Sequence, residues 1–424
     1  MQNENTYGMT KLAEHAAVSF GHKPIAADVT KPVPGRVESI DLLRGFVMII
    51  MAIDHIREFF HADAFVFSPT DLQHTTVPIF LTRWITHLCA PAFIFLSGTS
   101  IYFIAQRKSK TEKVSFLLSR GLWLIVLQMT VVRFAWNFDI YFRYNAHTIL
   151  SVIGVCMILM SVFIYFSTRT LVVIGVIVVA AHNLFDSVSF APDTVQQVLW
   201  AFLHKPGTYQ LVNGYVFNFM YPLIPWIGVM MLGYCAGRLY QSDYSSEGRR
   251  ELLFLIGGFC ILGFVVIRAV NIYGDPSEWS IERNGVTTFL SFINLTKYPP
   301  SLLYLCATLG ISLIALAALE SRQYAWLRPV SVFGKVALFY YVAHLFLIHT
   351  LALIVVATQG LPLEAMIYPD SVKFLSPLLV GKFGFSLAEV YIIWVCVILI
   401  LYPCCVAWNK MKTRMKAKWW VSYV

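Results

Sequence analysis

The chain has 424 residues, of which 58% are hydrophobic and only 13% are charged, and its mean hydropathy is +0.67. Soluble domains carry roughly 25% charged residues, so this composition excludes an ordinary soluble globular protein. The net charge of +9 comes from basic residues beside apolar segments, so it gives little support to nucleic-acid binding. The predicted fold class is all-α: a polytopic membrane helical bundle whose partner is the lipid bilayer.

Apolar windows of about 20 residues predict about ten transmembrane helices. If the N-terminus is cytoplasmic, most Lys and Arg residues fall on the inner side, as the positive-inside rule requires. Both termini are therefore predicted to be cytoplasmic. The windows cover residues 40–61, 86–106, 114–136, 147–166, 170–188, 217–239, 251–272, 299–319, 330–357 and 385–408.

The chain divides into three predicted parts. Residues 1–35 lack a continuous apolar core and form a cytoplasmic tail and linker rather than a signal peptide. Residues 36–409 form the transmembrane domain, and residues 410–424 form a basic cytoplasmic tail. The eight cysteines lie in or beside apolar windows without a CxxC spacing, so they imply neither a disulfide framework nor a zinc site.

The first predicted helix, residues 40–61, carries seven ionisable side chains through a segment long enough to cross a bilayer. Charges in that setting are costly and are usually functional. At about 100° per residue, Asp41, Arg44 and His55 share one stripe, and Asp54 lies on a neighbouring stripe. The helix is therefore predicted to line a polar interior. Asp41 and Arg44 are interpreted either as a buried ion pair that fixes packing or as part of a catalytic site.

Other predicted helices add ionisable residues at similar depth. Arg83 and His87 begin the second helix, which runs back from the outer face, so His55 and His87 are expected at the same level. His344 lies near mid-membrane in the ninth helix, and His349 is rotated about 140° from it, so one helix face cannot present both to a metal. No metal is expected. For each histidine, the alternative interpretation is a hydrogen-bonded structural residue.

Several short motifs, in a fixed order, resemble those of a known family. The motifs are SIDLLRG at 39–45, AIDH at 52–55, FLTRWITHLCAP at 80–91, FLSG at 95–98, YPLIPWIG at 221–228, KYPP at 297–300 and YYVAH at 340–344. Together they are similar to a group of bacterial membrane proteins with an uncharacterised domain, and to the catalytic region of heparan-alpha-glucosaminide N-acetyltransferase, within a broader transmembrane acyltransferase superfamily. The resemblance runs from about Arg36 to the C-terminus.

The resemblance implies an integral membrane acyltransferase of the bacterial inner membrane. It would move an acetyl group from cytoplasmic acetyl-CoA to an amine or hydroxyl of a sugar-like acceptor at the outer face. Acyl-CoA and this acceptor are the expected partners, nucleic acid is not, and a homodimer is one option. The residues expected to hold the donor are Asp41, Arg44, Arg107, Lys108 and Arg120.

The predicted catalytic residues are ionisable groups placed towards the outer face: His55, His87, Asp54, Asp71, Arg83 and His344. One of the first two histidines is expected to be the base, because imidazole titrates near neutral pH. One of the aspartates would orient that imidazole, and Arg83 or His344 would donate to the oxyanion. A histidine that carries the acyl group transiently is the open alternative to direct transfer.

One departure limits what the resemblance implies. In the eukaryotic acetyltransferase, the catalytic pair resembles an asparagine late in the first helix and a histidine in the following loop. Here Asp54 stands at the asparagine-like position, and the loop offers His61 and His74. The amino-sugar acceptor is therefore an analogy.

Two other function classes are considered. A secondary transporter would use proline-containing helices, and Pro222, Pro225, Pro299 and Pro300 suit that interpretation. However, the sequence shows no pair of similar halves that would suggest an inverted repeat. A non-catalytic membrane scaffold would leave the density of buried charge unexplained.

Overall fold

The structure is a computed structural model that describes residues 37–320, 325–367, 379–415 and 418. The predicted N-terminal tail lies outside the described residues, as does much of the predicted C-terminal tail. Within these ranges the chain is helical apart from loops and three short strands. The prediction of an all-α polytopic membrane bundle is confirmed.

Eight spans in the described ranges are long and apolar enough to cross a membrane. Two further helices complete the ten predicted windows: the charged first helix and a short apolar helix, Ile149–Phe163. In chain order the helices are α1 (Glu38–Phe60), α2 (Val77–Thr86), α3 (Cys89–Ala105), α4 (Lys110–Leu127), α5 (Arg133–Asn137), α6 (Ile149–Phe163), α7 (Thr168–Ala181), α8 (Val195–Leu203), α9 (Leu223–Gly237), α10 (Ser246–Val270), α11 (Gly285–Ile293), α12 (Leu302–Glu320), α13 (Arg328–Lys335), α14 (Ala337–Thr358), α15 (Glu364–Ile367) and α16 (Leu387–Arg414).

Capping boxes begin two of the long helices. Before α4, the Glu112 N–H donates to Ser109 Oγ and the Ser109 N–H donates to Glu112 Oε2, at 3.4 and 2.8 Å. Ser386 and Glu389 form the same arrangement before α16. Each box satisfies N–H groups that the first turn of a helix leaves without intrahelical partners. The sequence therefore sets where these spans start.

α1 lies inside the bundle and packs against α2, α3, α12, α13, α14 and α16. Gly334 of α13 lies directly against the backbone of Asp41, and Trp394 Nε1 donates to the Ile49 carbonyl oxygen at 2.8 Å. Because neighbouring helices surround it, α1 buries Asp41 and Asp54, which are 4% and 6% exposed. The charged helix is therefore an interior helix of the bundle.

Glycines bring several helix pairs into close contact. Gly121 of α4 faces Gly154 of α6, and Gly257 of α10 faces Gly310 of α12, with each backbone carbonyl against the opposite glycine. Small residues allow this approach where lipid supplies no hydrophobic driving force between helices. These contacts attach α4 to α6 and α10 to α12.

A three-stranded sheet covers the end of the bundle at which α1 ends. Its strands are β1 (Tyr144–His147), β2 (Gly207–Gln210) and β3 (Val216–Phe219), in the order β1-β3-β2. β1 is parallel to β3, and β2 is antiparallel to it. We call this end the outer end and the opposite end the inner end, in accordance with the predicted orientation.

Candidate active site

The candidate site surrounds His55 in the last third of α1. His55 is half-buried, whereas its neighbour Asp54 is buried. Three rings lie around its imidazole: Trp136 of α5, with centroids 4.9 Å apart, Tyr341 of α14, at 6.4 Å, and His344 of α14, at 5.0 Å. The helices α1, α5 and α14 therefore meet at this histidine.

A hydrogen-bond chain determines the tautomer of His55. His344 Nδ1 lies 2.9 Å from the Tyr340 carbonyl oxygen, which can only accept, so this nitrogen carries the proton of a neutral imidazole. Nε2 of His344 is then an acceptor, and it lies 2.8 Å from His55 Nδ1, which donates to it. Nε2 of His55 is consequently left with its lone pair. This is the tautomer that a general base requires.

The sequence of α14 explains how His344 is held. Tyr340 and His344 are four residues apart, so one helical turn brings them together, and their rings stack with centroids 5.1 Å apart. His349 lies on another side of the helix, between the rings of Phe59 and Phe138. Its two ring nitrogens each lie 3.0 Å from a backbone carbonyl oxygen. Of the two histidines of α14, His344 therefore contacts His55 and His349 does not.

Charged side chains form a cluster beside His55. Asp54 pairs with Arg83 of α2 and, at 3.3 Å, with Arg57 one turn further along α1. Glu58 lies 3.8 Å from Arg57. Because a buried carboxylate needs compensating charge, these pairs account for the burial of Asp54. The structure thus brings Asp54, Arg83 and His55 together, and His344 rather than Asp54 hydrogen-bonds the imidazole.

His87 lies in the same region, but it is more deeply buried, at 3% exposed. Its carbonyl oxygen accepts from the Tyr304 hydroxyl at 2.8 Å, and its ring packs against the Tyr304 ring at 5.4 Å. Its Nδ1 is buried without a partner in the described part of the chain. Arg83 and Asp54 are close enough to act on it electrostatically. His87 therefore lies beside the charged cluster, and its ring is packed against Tyr304.

The loop between α1 and α2 holds the remaining predicted residues of the outer end. Asp71 contacts His74, whose Nδ1 lies 2.8 Å from its carboxylate, and Asp71 also accepts from the Gln73 N–H. These hydrogen bonds lower the pKa of Asp71. His61 is buried at the start of the loop, and burial lowers its pKa. Asp71 is thus paired within its own loop rather than with His55 or His87.

Sequence reasoning did not assign a role to Lys297 or Tyr298. The Lys297 ammonium lies 5.2 Å from the centre of the Tyr298 ring, and that ring lies 5.4 Å from the Tyr221 ring. Seven residues further along, the Tyr304 hydroxyl donates to the His87 carbonyl oxygen at 2.8 Å, which places the segment of Lys297 beside α2. The one available signal was the position of Lys297 in the KYPP motif, where a basic residue directly precedes an apolar window.

The inner end holds the residues predicted to bind the donor. Asp41 lies 3.7 Å from Arg44, whose Nη2 donates to Ser100 Oγ of α3 at 3.0 Å. At 1.5 Å per residue along α1, this pair is about 20 Å from His55. Nearby, Glu320 accepts from Ser39 at 2.5 Å and from Tyr240 at 2.9 Å. Asp41 and Arg44 do form the ion pair that their spacing indicated.

Two more predicted donor-binding residues lie at the junction of α3 and α4, and a third, Arg120, lies about 15 Å further along α4. Arg107 is exposed and Lys108 is half-buried, with its ammonium 5.7 Å from the centre of the Phe116 ring. Arg120 is half-buried within α4. By chain direction this junction belongs to the same end of the bundle as Arg44. The described residues contain no group of three or more His, Cys, Asp or Glu side chains placed to hold a metal ion.

Residues 36–265 match the family model described as "Heparan-alpha-glucosaminide N-acetyltransferase, catalytic". The chain belongs to this family. The match to the N-acetyltransferase catalytic model includes His55 and Arg83, whereas Lys297 and His344 lie beyond its end. Comparison with curated proteins found no matching relative.

Membership of the heparan-alpha-glucosaminide N-acetyltransferase catalytic family supports a membrane acetyltransferase type of function. The eight apolar spans identify an integral membrane protein by their length and composition. The resemblance to this family is confirmed over residues 36–265.

Proposed function

We propose that this protein transfers an acetyl group from acetyl-CoA to an amine or hydroxyl of a sugar-like acceptor, with Nε2 of His55 as the general base. The hydrogen-bond chain from His55 through His344 to the Tyr340 carbonyl oxygen carries this proposal. This chain of hydrogen bonds leaves the lone pair of His55 on Nε2, the nitrogen that does not contact His344. Family membership supports the acetyl group, and the donor follows from the resemblance of the motifs.

His55 performs the proton transfers in the proposed reaction. Its Nε2 takes the proton from the amine or hydroxyl of the acceptor as that atom forms a bond to the thioester carbonyl carbon. The carbonyl π electrons move to oxygen and form an oxyanion. When the carbon–sulfur bond breaks, His55 returns the proton to sulfur, which releases the free thiol. Atoms and charge balance without a further reactant.

His344 is a positioning residue in this proposal. Its neutral Nε2 accepts from His55 Nδ1 and so keeps the imidazole in one tautomer and one orientation. The adjacent carboxylate of Asp54 stabilises the positive charge that His55 acquires, since unlike charges attract strongly away from water. Asp54 is itself held by Arg83 and Arg57.

The two ends of the bundle suit the two substrates. At the inner end, Arg44, Arg107, Lys108 and Arg120 offer cationic groups of the kind that bind phosphates, and Asp41 fixes Arg44. At the outer end, the rings of Trp136 and Tyr341 flank His55. Aromatic faces with a few polar groups are typical of small-molecule sites. We propose that the donor enters from the cytoplasm and that the acceptor approaches from outside a bacterial inner membrane.

The test is acceptor-dependent release of CoA by the purified protein in nanodiscs, with a panel of amino-sugar and hydroxyl acceptors. Cys396 and Cys404 are exposed free thiols, so CoA is quantified by chromatography rather than with a thiol reagent. Saturable acetyl-CoA binding with acceptor-dependent turnover supports the proposal. Folded protein that binds no acyl-CoA of any chain length contradicts it, and solute uptake into proteoliposomes would then favour a transporter.

The same preparation separates direct transfer from an acyl-histidine relay. Acetyl-CoA is mixed with protein without acceptor, the reaction is quenched, and the peptide that contains His55 is examined by mass spectrometry. Direct transfer predicts an unmodified peptide and a lag-free, acceptor-dependent first turnover. An acetylated peptide that forms as fast as turnover assigns the lone pair of His55 to nucleophilic attack instead.

A further inference from the structure

The loop of residues 296–301 is fixed at both ends by one carboxylate. Asp275 accepts from the Thr296 N–H at 2.9 Å, from Thr296 Oγ1 at 2.7 Å and from Ser301 Oγ at 2.6 Å. The Ser301 N–H in turn donates to the Thr296 carbonyl oxygen at 3.0 Å. These bonds close the loop on itself and hold it against the segment that follows α10.

The far side of the loop is held as well. Nε2 of His182 lies 2.8 Å from the Pro300 carbonyl oxygen, and His182 is 1% exposed. Lys297 and Pro300 form an antiparallel bridge across the loop. A short loop restrained in this way presents its side chains in a defined geometry, which is the arrangement that functional sites need.

The loop of Lys297 lies beside the turn of α2 that carries Arg83. Trp84 Nε1 donates to the Ile293 carbonyl oxygen at 2.9 Å before the loop, and the Tyr304 hydroxyl donates to the His87 carbonyl oxygen at 2.8 Å after it. Residues of α1 and α2 therefore share one region with this loop, although it is more than 200 residues distant in the chain.

The other cations of the cluster are already paired. Arg83 pairs with Asp54, and Arg57 pairs with Asp54 and Glu58. Lys297 makes no ion pair within the part of the chain that the structure describes, and its ammonium lies over the Tyr298 ring. Three cations thus face two carboxylates. A surplus positive charge beside the base complements negative charge that appears during the reaction.

Hydrogen-bonding capacity points to the same residue. In the neutral pair, His344 uses one ring nitrogen towards Tyr340 and the other towards His55, so it has no N–H left for an oxyanion. Arg83 directs Nη1 to Asp54. Lys297 carries three N–H donors on a flexible stem, and a neighbouring aromatic face leaves all of them available.

We propose that Lys297 stabilises the oxyanion that forms when the acceptor attacks the thioester. This inference rests on the proposed acetyl transfer. As the acceptor atom bonds to the carbonyl carbon, His55 receives the proton and the carbonyl electron pair moves to oxygen, where the Lys297 ammonium donates. When the oxyanion reforms the carbonyl, the carbon–sulfur bond breaks and sulfur takes the proton from His55. Lys297 keeps its own protons throughout.

The test compares Lys297→Met and Lys297→Arg with the wild type in nanodiscs, and Lys205→Met is the control because Lys205 is an exposed lysine of the outer end. A donor that acts only in the transition state predicts a kcat about 10²–10³ lower in Lys297→Met. Binding of acetyl-CoA, measured by calorimetry, stays within about threefold of the wild type. Lys297→Arg retains more activity than Lys297→Met, since it keeps a cationic donor.

The outcomes separate this inference from the proposed function. An active wild type with an equally active Lys297→Met variant overturns the role of Lys297 alone. A wild type that never releases CoA overturns the acetyl transfer and this inference together. If Lys297→Met does not fold, Lys297→Gln takes its place. A Lys297 variant that loses affinity for the acceptor but keeps the wild-type kcat also overturns the proposal.

Discussion

His55 Nδ1 lies 2.8 Å from His344 Nε2, and this contact joins α1 to α14 across 289 positions of sequence. The Tyr340 carbonyl oxygen behind His344 makes the chain directional, because a carbonyl accepts and cannot donate. The result is a two-histidine arrangement in which a neutral imidazole takes the place that a carboxylate holds in many hydrolases. The second residue, His344, can be neutral at this site because Asp54 already supplies a negatively charged carboxylate.

Replacement of His55 by Gln should abolish transfer while the protein stays folded. Loss of a general base typically lowers the rate by about 10²–10⁴. The measurement is acceptor-dependent CoA release, with thermal unfolding in detergent as the check on folding. His74→Gln is the matched comparison, because His74 is exposed and pairs with Asp71 of its own loop; a loss of activity in this variant instead of His55→Gln would assign the base to the loop. Equal activity in His55→Gln and the wild type would contradict the role of the base.

His344→Leu should lower kcat because His55 loses the acceptor that fixes its tautomer. His344→Gln should recover part of the activity, since the amide donates to the Tyr340 carbonyl oxygen and accepts from His55 Nδ1. The readout is the ratio of kcat values for the two variants, together with the KM for acetyl-CoA, which should change little. Two variants with equal kcat would indicate a purely structural histidine.

Asp54→Leu should destabilise the protein because Arg83 and Arg57 lose their shared partner inside the bundle. Removal of one partner from a buried ion pair costs about 3–5 kcal/mol. Addition of Arg83→Met to Asp54→Leu should restore part of that loss. The measurement is the free energy of unfolding of the single and double variants. Asp71→Leu, a change in the loop, should have little effect on that free energy. If the losses of free energy from Asp54→Leu and Arg83→Met are strictly additive, the two residues do not form the proposed ion pair.

Gly257→Ala should weaken the contact between α10 and α12, because the added methyl group would meet the Gly310 carbonyl oxygen at 2.9 Å and Ile314 Cγ1 at 2.8 Å. Gly258→Ala is the neighbouring control, since its methyl group meets no atom of the described chain within 4 Å. Alanine favours a helix over glycine by about 1 kcal/mol, so the control should be neutral or stabilised. Unfolding temperatures of the two variants in the same detergent decide the matter, and an inverse order contradicts the contact.

Much of the fold could be predicted from the sequence. All ten predicted windows coincide with helices of the structure, because bilayer thickness sets the length of a span and apolar composition marks it. The charges of α1 predicted a polar interior for the same reason, since lipid does not tolerate them. The three strands were not predicted, because each has only four residues and its register depends on a partner from another part of the chain.

The candidate site could be predicted only in part. Periodicity along α1 placed His55, Asp54 and Arg57 on neighbouring stripes, and chain direction placed Arg83 at the same depth. Neither argument says which side chains touch. His344 was predicted as a donor to the oxyanion, but its bond to His55 depends on α14 lying beside α1, and Lys297 depends on a loop that Asp275 holds.

The sequence by itself thus determined that the chain spans a membrane and to which family it belongs. The length and apolar composition of single segments mark the spans, and the order of short motifs indicates the family. Only the tertiary structure decided that His344 hydrogen-bonds to His55, that Asp54 pairs with Arg83 and that the loop of Lys297 lies beside α2. Each of these contacts joins separate helices or loops, and side-chain packing between them decides which ones become neighbours.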